Sequence, residues 1–253
     1  MAGHGFAAFA IESRSGRERT CKALARSRSD HFGHGEGTFA AYSLVTMSFE
    51  ASLIDELRRV HGVHTIILYG SRSRGEATME SDIDVASYAD VADSTRDARM
   101  WNGMFLDAFV YPTARLGEAP DADMLKLCGG QVLLDERGLA EHYLAQVAAL
   151  EEQGPPALSE AEQRMRRVWV RKMLARLRRG DVEAHYRHHW LLYQLLEDYF
   201  ALRGEWYRGP KRALADLLGN RPETFVAFER ALVPGAPLEA LEALAELVVN
   251  EPS

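Results

Sequence analysis

Two aspartates stand two residues apart in the stretch DIDVASY, Asp82 and Asp84, and twelve residues upstream of the first is a Gly-Ser pair, Gly70 and Ser71. On a β-strand, residues i and i+2 project to one face with their Cα atoms about 6.5 to 7 Å apart, so both carboxylates can point together while Ile83 packs on the other side. A carboxylate pair of this kind suits a hard divalent cation. Mg²⁺ prefers oxygen ligands, keeps several waters and is usually held by one or two carboxylates plus substrate phosphates. Two ions about 3.5 to 4 Å apart can stabilise both the attacking and the leaving oxygen of an in-line displacement at phosphorus. Gly70 lets backbone approach a phosphate closely, and the Ser71 hydroxyl with nearby N–H groups can donate to its oxygens. Arg72 and Arg74 add positive charge to the same loop. A Walker A loop is excluded: four residues separate Gly70 and Gly75, but Glu76 stands where its Lys is needed and Ala77 where its Ser or Thr is needed. A third carboxylate must help hold the metal and accept the proton of an attacking hydroxyl. Asp107 is the candidate, because it interrupts the apolar run MFLDAFVY, and a charge inside a strand is costly unless paired or metal-bound.

The elements that must position these groups can be read around them. An amphipathic helix begins after Met47, with Phe49, Leu53, Leu57 and Val60 on one side. HTIILY, residues 64 to 69, is a short apolar and β-branched run stopped by Gly70, as a buried strand would be. Further strands are expected at 82–88, 104–111 and from 131, and a helix at 91–101, which would place Asp93 and Asp97 off the sheet. Another helix reads over 139–152, before Gly154, Pro155 and Pro156. Everything beyond has helical spacing, with helices expected near 159–179, 181–203, 210–219, 222–232 and 238–250. The organisation is a small α/β domain at 47–153, a mixed sheet flanked by helices, followed by an all-α helical bundle domain at 159–253.

The 253 residues include 30 Lys+Arg and 37 Asp+Glu, a net charge of −7 that argues against a generic electrostatic coat for nucleic acid. With 47% hydrophobic residues the chain can build a core, and no stretch approaches the roughly 18 apolar residues of a membrane span. Cys21 and Cys128 are too few for a disulfide framework, which fits a reducing, cytoplasmic setting. Residues 1–46, rich in Gly, Ala, Ser and Arg, show no sustained period and are expected to be poorly ordered or an extension preceding a start at Met47.

A Gly-Ser pair, ten residues, Asp-x-Asp after a strand, then an Asp in a later strand, resembles the nucleotidyltransferase superfamily that includes DNA polymerase β, and its minimal and antibiotic-modifying branches in particular. The likeness covers about residues 50 to 150. It implies that Gly70 and Ser71 bind the triphosphate, that Asp82 and Asp84 are the metal-binding carboxylates, and that Asp107 matches the third and acts as general base. It implies two Mg²⁺ ions and an NTP, ATP being the expected one. The implied reaction is attack by an acceptor hydroxyl on the α-phosphorus with loss of pyrophosphate. The acceptor so implied is a small molecule such as an aminoglycoside or lincosamide. The other readings are a toxin–antitoxin type enzyme that modifies a protein tyrosine or an RNA end, and a module that holds nucleotide without turnover.

Families of this kind place a helical domain across the cleft. Gly209 and Pro210 set up a helix start bearing Lys211 and Arg212, suited to anions, and Lys211 is the expected contact to the β- or γ-phosphate, as Arg74 is from the loop. Eight basic residues lie between Arg164 and Arg179, but a charge run on a helix is most often its solvated face. Trp190, Tyr193, Tyr199, Trp206 and Tyr207 could wall a base, although aromatics at helical spacing are usually core. His185 and His189 have the spacing of a metal pair without the Glu of a zinc-protease motif, and Arg179 with His185 has that of a small ribonuclease motif; neither carries weight in an Arg-rich segment.

Overall fold

A computed structural model describes residues 48–250. The chain divides into the units Met1–Val45 and Thr46–Ser253, and every described residue belongs to the second. The expectations for 1–46, Met47 and Cys21 fall outside the described residues.

Helix α1, Phe49–His61, starts where the Ser48 side chain accepts from the Ala51 N–H and ends at Gly62, whose φ of 63° is the left-handed conformation that glycine adopts without a Cβ penalty. Its Leu53 and Leu57 are fully buried against the sheet. The strands are β1 (Thr65–Tyr69), β2 (Ile83–Ala89), β3 (Thr95–Trp101), β4 (Met104–Pro112) and β5 (Gln131–Asp135), in the order β3-β4-β2-β1-β5. Only β2 and β4 run parallel; the other pairs are antiparallel. The single turn α2, Gly70–Ser73, follows β1 directly.

The two-residue period of the strands sorts the core. Ile66, Leu68, Ile83, Val85, Leu106, Ala108 and Val110 pack with α1 on one face. Ile67, Tyr69, Ala86, Tyr88 and Tyr111 pack on the other, beneath Leu127 of the 3₁₀ turn Ala122–Leu127 and Tyr143 and Val147 of α3, Ala140–Gln153. Asp84 and Asp107 lie on this second face by the same alternation, at the end where apolar cover gives out.

One expected element is wrong in kind. Residues 95–101 form strand β3, not part of a helix, because Asn102 and Gly103 both have positive φ (51° and 79°) and turn the chain into a tight hairpin that pairs Trp101 with Met104. Asn-Gly between two extended runs is a strong hairpin signal, and here it outweighs a weak helical pattern. Asp97 therefore sits on an edge strand, paired to His61 and Arg99, and has no place among the other carboxylates.

The helical part comprises α4 (Glu160–Leu177), α5 (Val182–Ala201), α6 (Pro210–Asn220), α7 (Pro222–Leu232) and α8 (Leu238–Val249). Its starts follow the sequence: Ser159 and Glu162 form a capping box, the Asp181 side chain accepts from the Ala184 N–H, and Pro210 and Pro222 occupy first turns. Val170, Met173, Leu191, Leu195, Leu217, Phe228, Leu241 and Leu244 form one core. Much of the basic run on and just after α4 is exposed, as a solvated face would be, while three of its members brace the bundle: Arg166 pairs with buried Asp198, Arg167 donates to the Val249 carbonyl at 2.9 Å, and Arg178 donates to Glu242. Among the described residues no helix is long and apolar enough to cross a membrane.

Candidate active site

Register aligns the candidate residues in a row. Tyr69 of β1 lies opposite Asp84 of β2, which lies beside Asp107 of β4. Gly70 ends β1 with φ +77°, and a Cβ built there would fall 2.3 Å from Asp84 Oδ2. The carboxylate thus occupies space that any side chain at position 70 would fill, which is why this position requires glycine. Asp84 is half-buried and its pKa is raised, first by burial and then by the negative charges of Asp82 and Asp107, against the opposing pull of Arg74 and Lys211. That balance places three carboxylates and two cations within electrostatic reach of one another. Asp82 itself is exposed.

The loop arginines divide their work. Arg72 turns away from phosphate duty: its guanidinium donates to the Asp82 carbonyl at 3.0 Å and the Ser81 carbonyl at 2.7 Å, fixing the backbone that carries Asp82. Arg74 donates to Glu76, and among the described residues one of its buried Nη atoms has no hydrogen-bond partner. Ser71 is buried, and its carbonyl accepts from the Glu76 N–H at 2.9 Å, closing the loop.

Asp107 is engaged differently from the sequence expectation. Both its oxygens accept from Arg96 of β3, at 2.7 and 2.8 Å, in a bidentate fork, while the guanidinium lies 5.0 Å from the Phe109 ring centroid. Among the described residues no three His, Cys, Asp or Glu side chains are gathered as ligands around one point, and both oxygens of Asp107 are engaged by Arg96. The donor set still suits a hard cation: Asp82 and Asp84 are oxygen donors two residues apart, and Asp107 lies beside Asp84 in the β2–β4 register. The Arg96 side chain is more than half exposed.

A cavity of about 770 Å³ opens at Gly70 and Arg74 and runs between the sheet and the helical part. Lys211 and Arg212, in the first turn of α6, line its far wall with Trp206, Tyr207 and Arg208. The start of α6 is tied to the α/β part, since Arg212 donates to the Cys128 carbonyl at 3.4 Å and Arg208 pairs with Glu151. Of the five aromatics considered from sequence, Trp206 and Tyr207 line this cavity, Tyr199 is core, and Trp190 and Tyr193 are exposed on α5. His185 and His189 are exposed on α5, and Arg179 is paired with Asp181 and Glu183.

Residues 51–105 match the family model described as Polymerase beta, Nucleotidyltransferase. Over this part the chain is similar to the polymerase β-type nucleotidyltransferase domain. The match takes in Gly70, Ser71, Asp82 and Asp84 and ends two residues short of Asp107, which strand register sets beside Asp84. No curated protein matches the sequence. A solved structure, a nucleotidyltransferase-like protein from Exiguobacterium sibiricum 255-15, is similar at 15% identity and a TM-score of 0.36, covering 78% of this chain and 71% of that one. Sequence reasoning missed Arg96, which forks onto Asp107, and Arg208 and Lys126, which line the cavity.

Proposed function

We propose that the protein transfers a nucleoside monophosphate, AMP as first choice, from an NTP to a hydroxyl of a small-molecule acceptor. The observation that carries this reading is the close approach of Gly70 to Asp84, which lies in a row with Asp107 and feels the charges of Arg74 and Lys211, where Gly70, Arg74 and Lys211 line a cavity of about 770 Å³. That volume lies within the ~300–1,000 Å³ of ordinary ligand sites. Asp82 and Asp84 would hold Mg²⁺, with Asp107 as the third carboxylate. When bound, the two ions would offset the charge on the phosphates and on the leaving oxygen.

The chain's own groups do the rest. Gly70 and Ser71 admit the phosphate chain to the turn, and Arg74 and Lys211 hold it from opposite walls. Asp107, released from Arg96, accepts the proton of the acceptor hydroxyl. The bond from that oxygen to the α-phosphorus forms as the bond to the bridging oxygen breaks, and pyrophosphate leaves with the electron pair. Positioning and electrostatics supply most of the rate, as is general for phosphoryl chemistry.

The Arg96 fork favours a second reading, in which nucleotide is held without turnover. Incubation with α-labelled NTPs, Mg²⁺, aminoglycosides, a lincosamide, tRNA and cell lysate separates the two. Label on a small molecule supports the proposal; label confined to a protein or RNA band moves the acceptor to that class; label remaining on NTP throughout favours holding alone.

A further inference from the structure

Lys126 occupies the 3₁₀ turn Ala122–Leu127, between buried Leu125 and Leu127. Its ammonium lies 3.9 Å from the ring centroid of Phe109, 5.5 Å from that of Tyr111 and 5.7 Å from that of Tyr69, and it donates to the Tyr111 hydroxyl at 2.8 Å. Burial lowers its pKa, and among the described residues no carboxylate stands within ion-pair distance. An ammonium has three donors, and among the described residues the Tyr111 hydroxyl is the one hydrogen-bond acceptor it meets, the rings supplying only cation–π contact.

The surroundings say what would use them. Lys126 lines the cleft of about 770 Å³ and also a second cavity of about 640 Å³, floored by Phe109 and Tyr111, whose rings stack at 6.0 Å. Phe109 is two residues along the same strand face as Asp107, and Asp123, which lines both cavities, and then Asp107 act electrostatically on Lys126. The ammonium therefore stands where the two cavities adjoin, beside the carboxylate of the proposed reaction.

We propose that Lys126 and its ring cage form a phosphate-binding subsite at the junction of the two cavities, separate from the phosphate contacts at Arg74 and Lys211. The subsite rests on the reading of the cleft as a nucleotide site, and two sources share the chemistry: a phosphate of the NTP, or a phosphate carried by the acceptor.

Calorimetric titrations of the full chain with inorganic phosphate, ATP and glycerol 3-phosphate test it, in the wild type, Lys126→Met and the remote surface control Lys172→Met. A lost charge-assisted hydrogen bond weakens binding by roughly 10- to 100-fold. Lys126→Met should lose that much for inorganic phosphate, while Lys172→Met changes it less than about twofold. Lys126→Arg should recover part of the loss, and thermal melting should show Lys126→Met folded. A matching loss for ATP assigns the subsite to the NTP. A loss for glycerol 3-phosphate with ATP unchanged assigns it to the acceptor. Equal affinity of Lys126→Met and wild type for all three probes overturns the proposal, as does a wild type that binds none. A wild type that binds phosphate through Lys126 but not ATP sinks the nucleotide reading and leaves the subsite standing.

Discussion

Gly70→Ala is the sharpest perturbation available. The new methyl carbon would lie 2.3 Å from Asp84 Oδ2, 3.1 Å from its Cγ and 3.3 Å from its Cβ, on a backbone with φ +77°. Positive φ costs a non-glycine residue about 1–2 kcal/mol, and driving the Asp84 side chain off its rotamer adds about 0.5–1.5 kcal/mol. The sum, about 1.5–3.5 kcal/mol, should lower the urea midpoint with the m-value unchanged. At about 2–4 °C per kcal/mol for a chain of this size, melting should fall by several degrees. Nucleotide transfer should suffer more than stability, since a displacement of about 1 Å at a reacting group can cost about 100-fold. The cycle with Asp84→Ala separates the two costs. Removing the carboxylate in the Gly70→Ala background should recover the clash and leave the backbone strain, so the double variant should be more stable than the two single effects predict when added. A Gly70→Ala protein as stable as wild type, or a deficit that Asp84→Ala leaves untouched, would refute the reasoning.

Asp84→Asn, studied without divalent ions, tests the charge crowding. Because the folded pKa of Asp84 is raised, its contribution to stability is complete below the ordinary Asp value of about 3.9 and is lost as pH rises through the folded value. The Asn variant should therefore exceed wild type in stability at pH 7, with the gain vanishing toward pH 4; a variant less stable at pH 7 contradicts this. Arg96→Gln should free Asp107 and tighten Mn²⁺ binding, read by paramagnetic resonance, whereas weaker binding would show that Arg96 does not compete for that carboxylate. Arg72→Met should lower transfer at least tenfold with the nucleotide Kd within threefold, since Arg72 holds the Asp82 backbone and touches no cleft surface; an unchanged rate would remove that role.

The Gly70–Ser71 turn, Asp82 and Asp84 were legible in the sequence because their chemistry is local: a glycine ending an apolar run and two acids at strand spacing. The helices after Pro156 were equally legible from caps and period. Arg96 was not, for a reason that can be traced. Reading 91–101 as a helix took Arg96 off the sheet, so its reach from opposite Phe109 to Asp107 could not be foreseen, although Asn102–Gly103 carried the hairpin signal. Lys126 was hidden because its cage is assembled from three separate strands and turns, and only the oddity of a Lys within MLKL marks it.

Counting divalent ions tests the central claim most directly. Mn²⁺ titrated by paramagnetic resonance in the presence of a non-hydrolysable ATP analogue should give two tightly held ions per chain in the wild type and at most one in Asp84→Ala, with pyrophosphate release from ATP lost in parallel. Equal ion counts and equal release in the two proteins would mean that Asp82 and Asp84 do not hold the metal around a bound triphosphate.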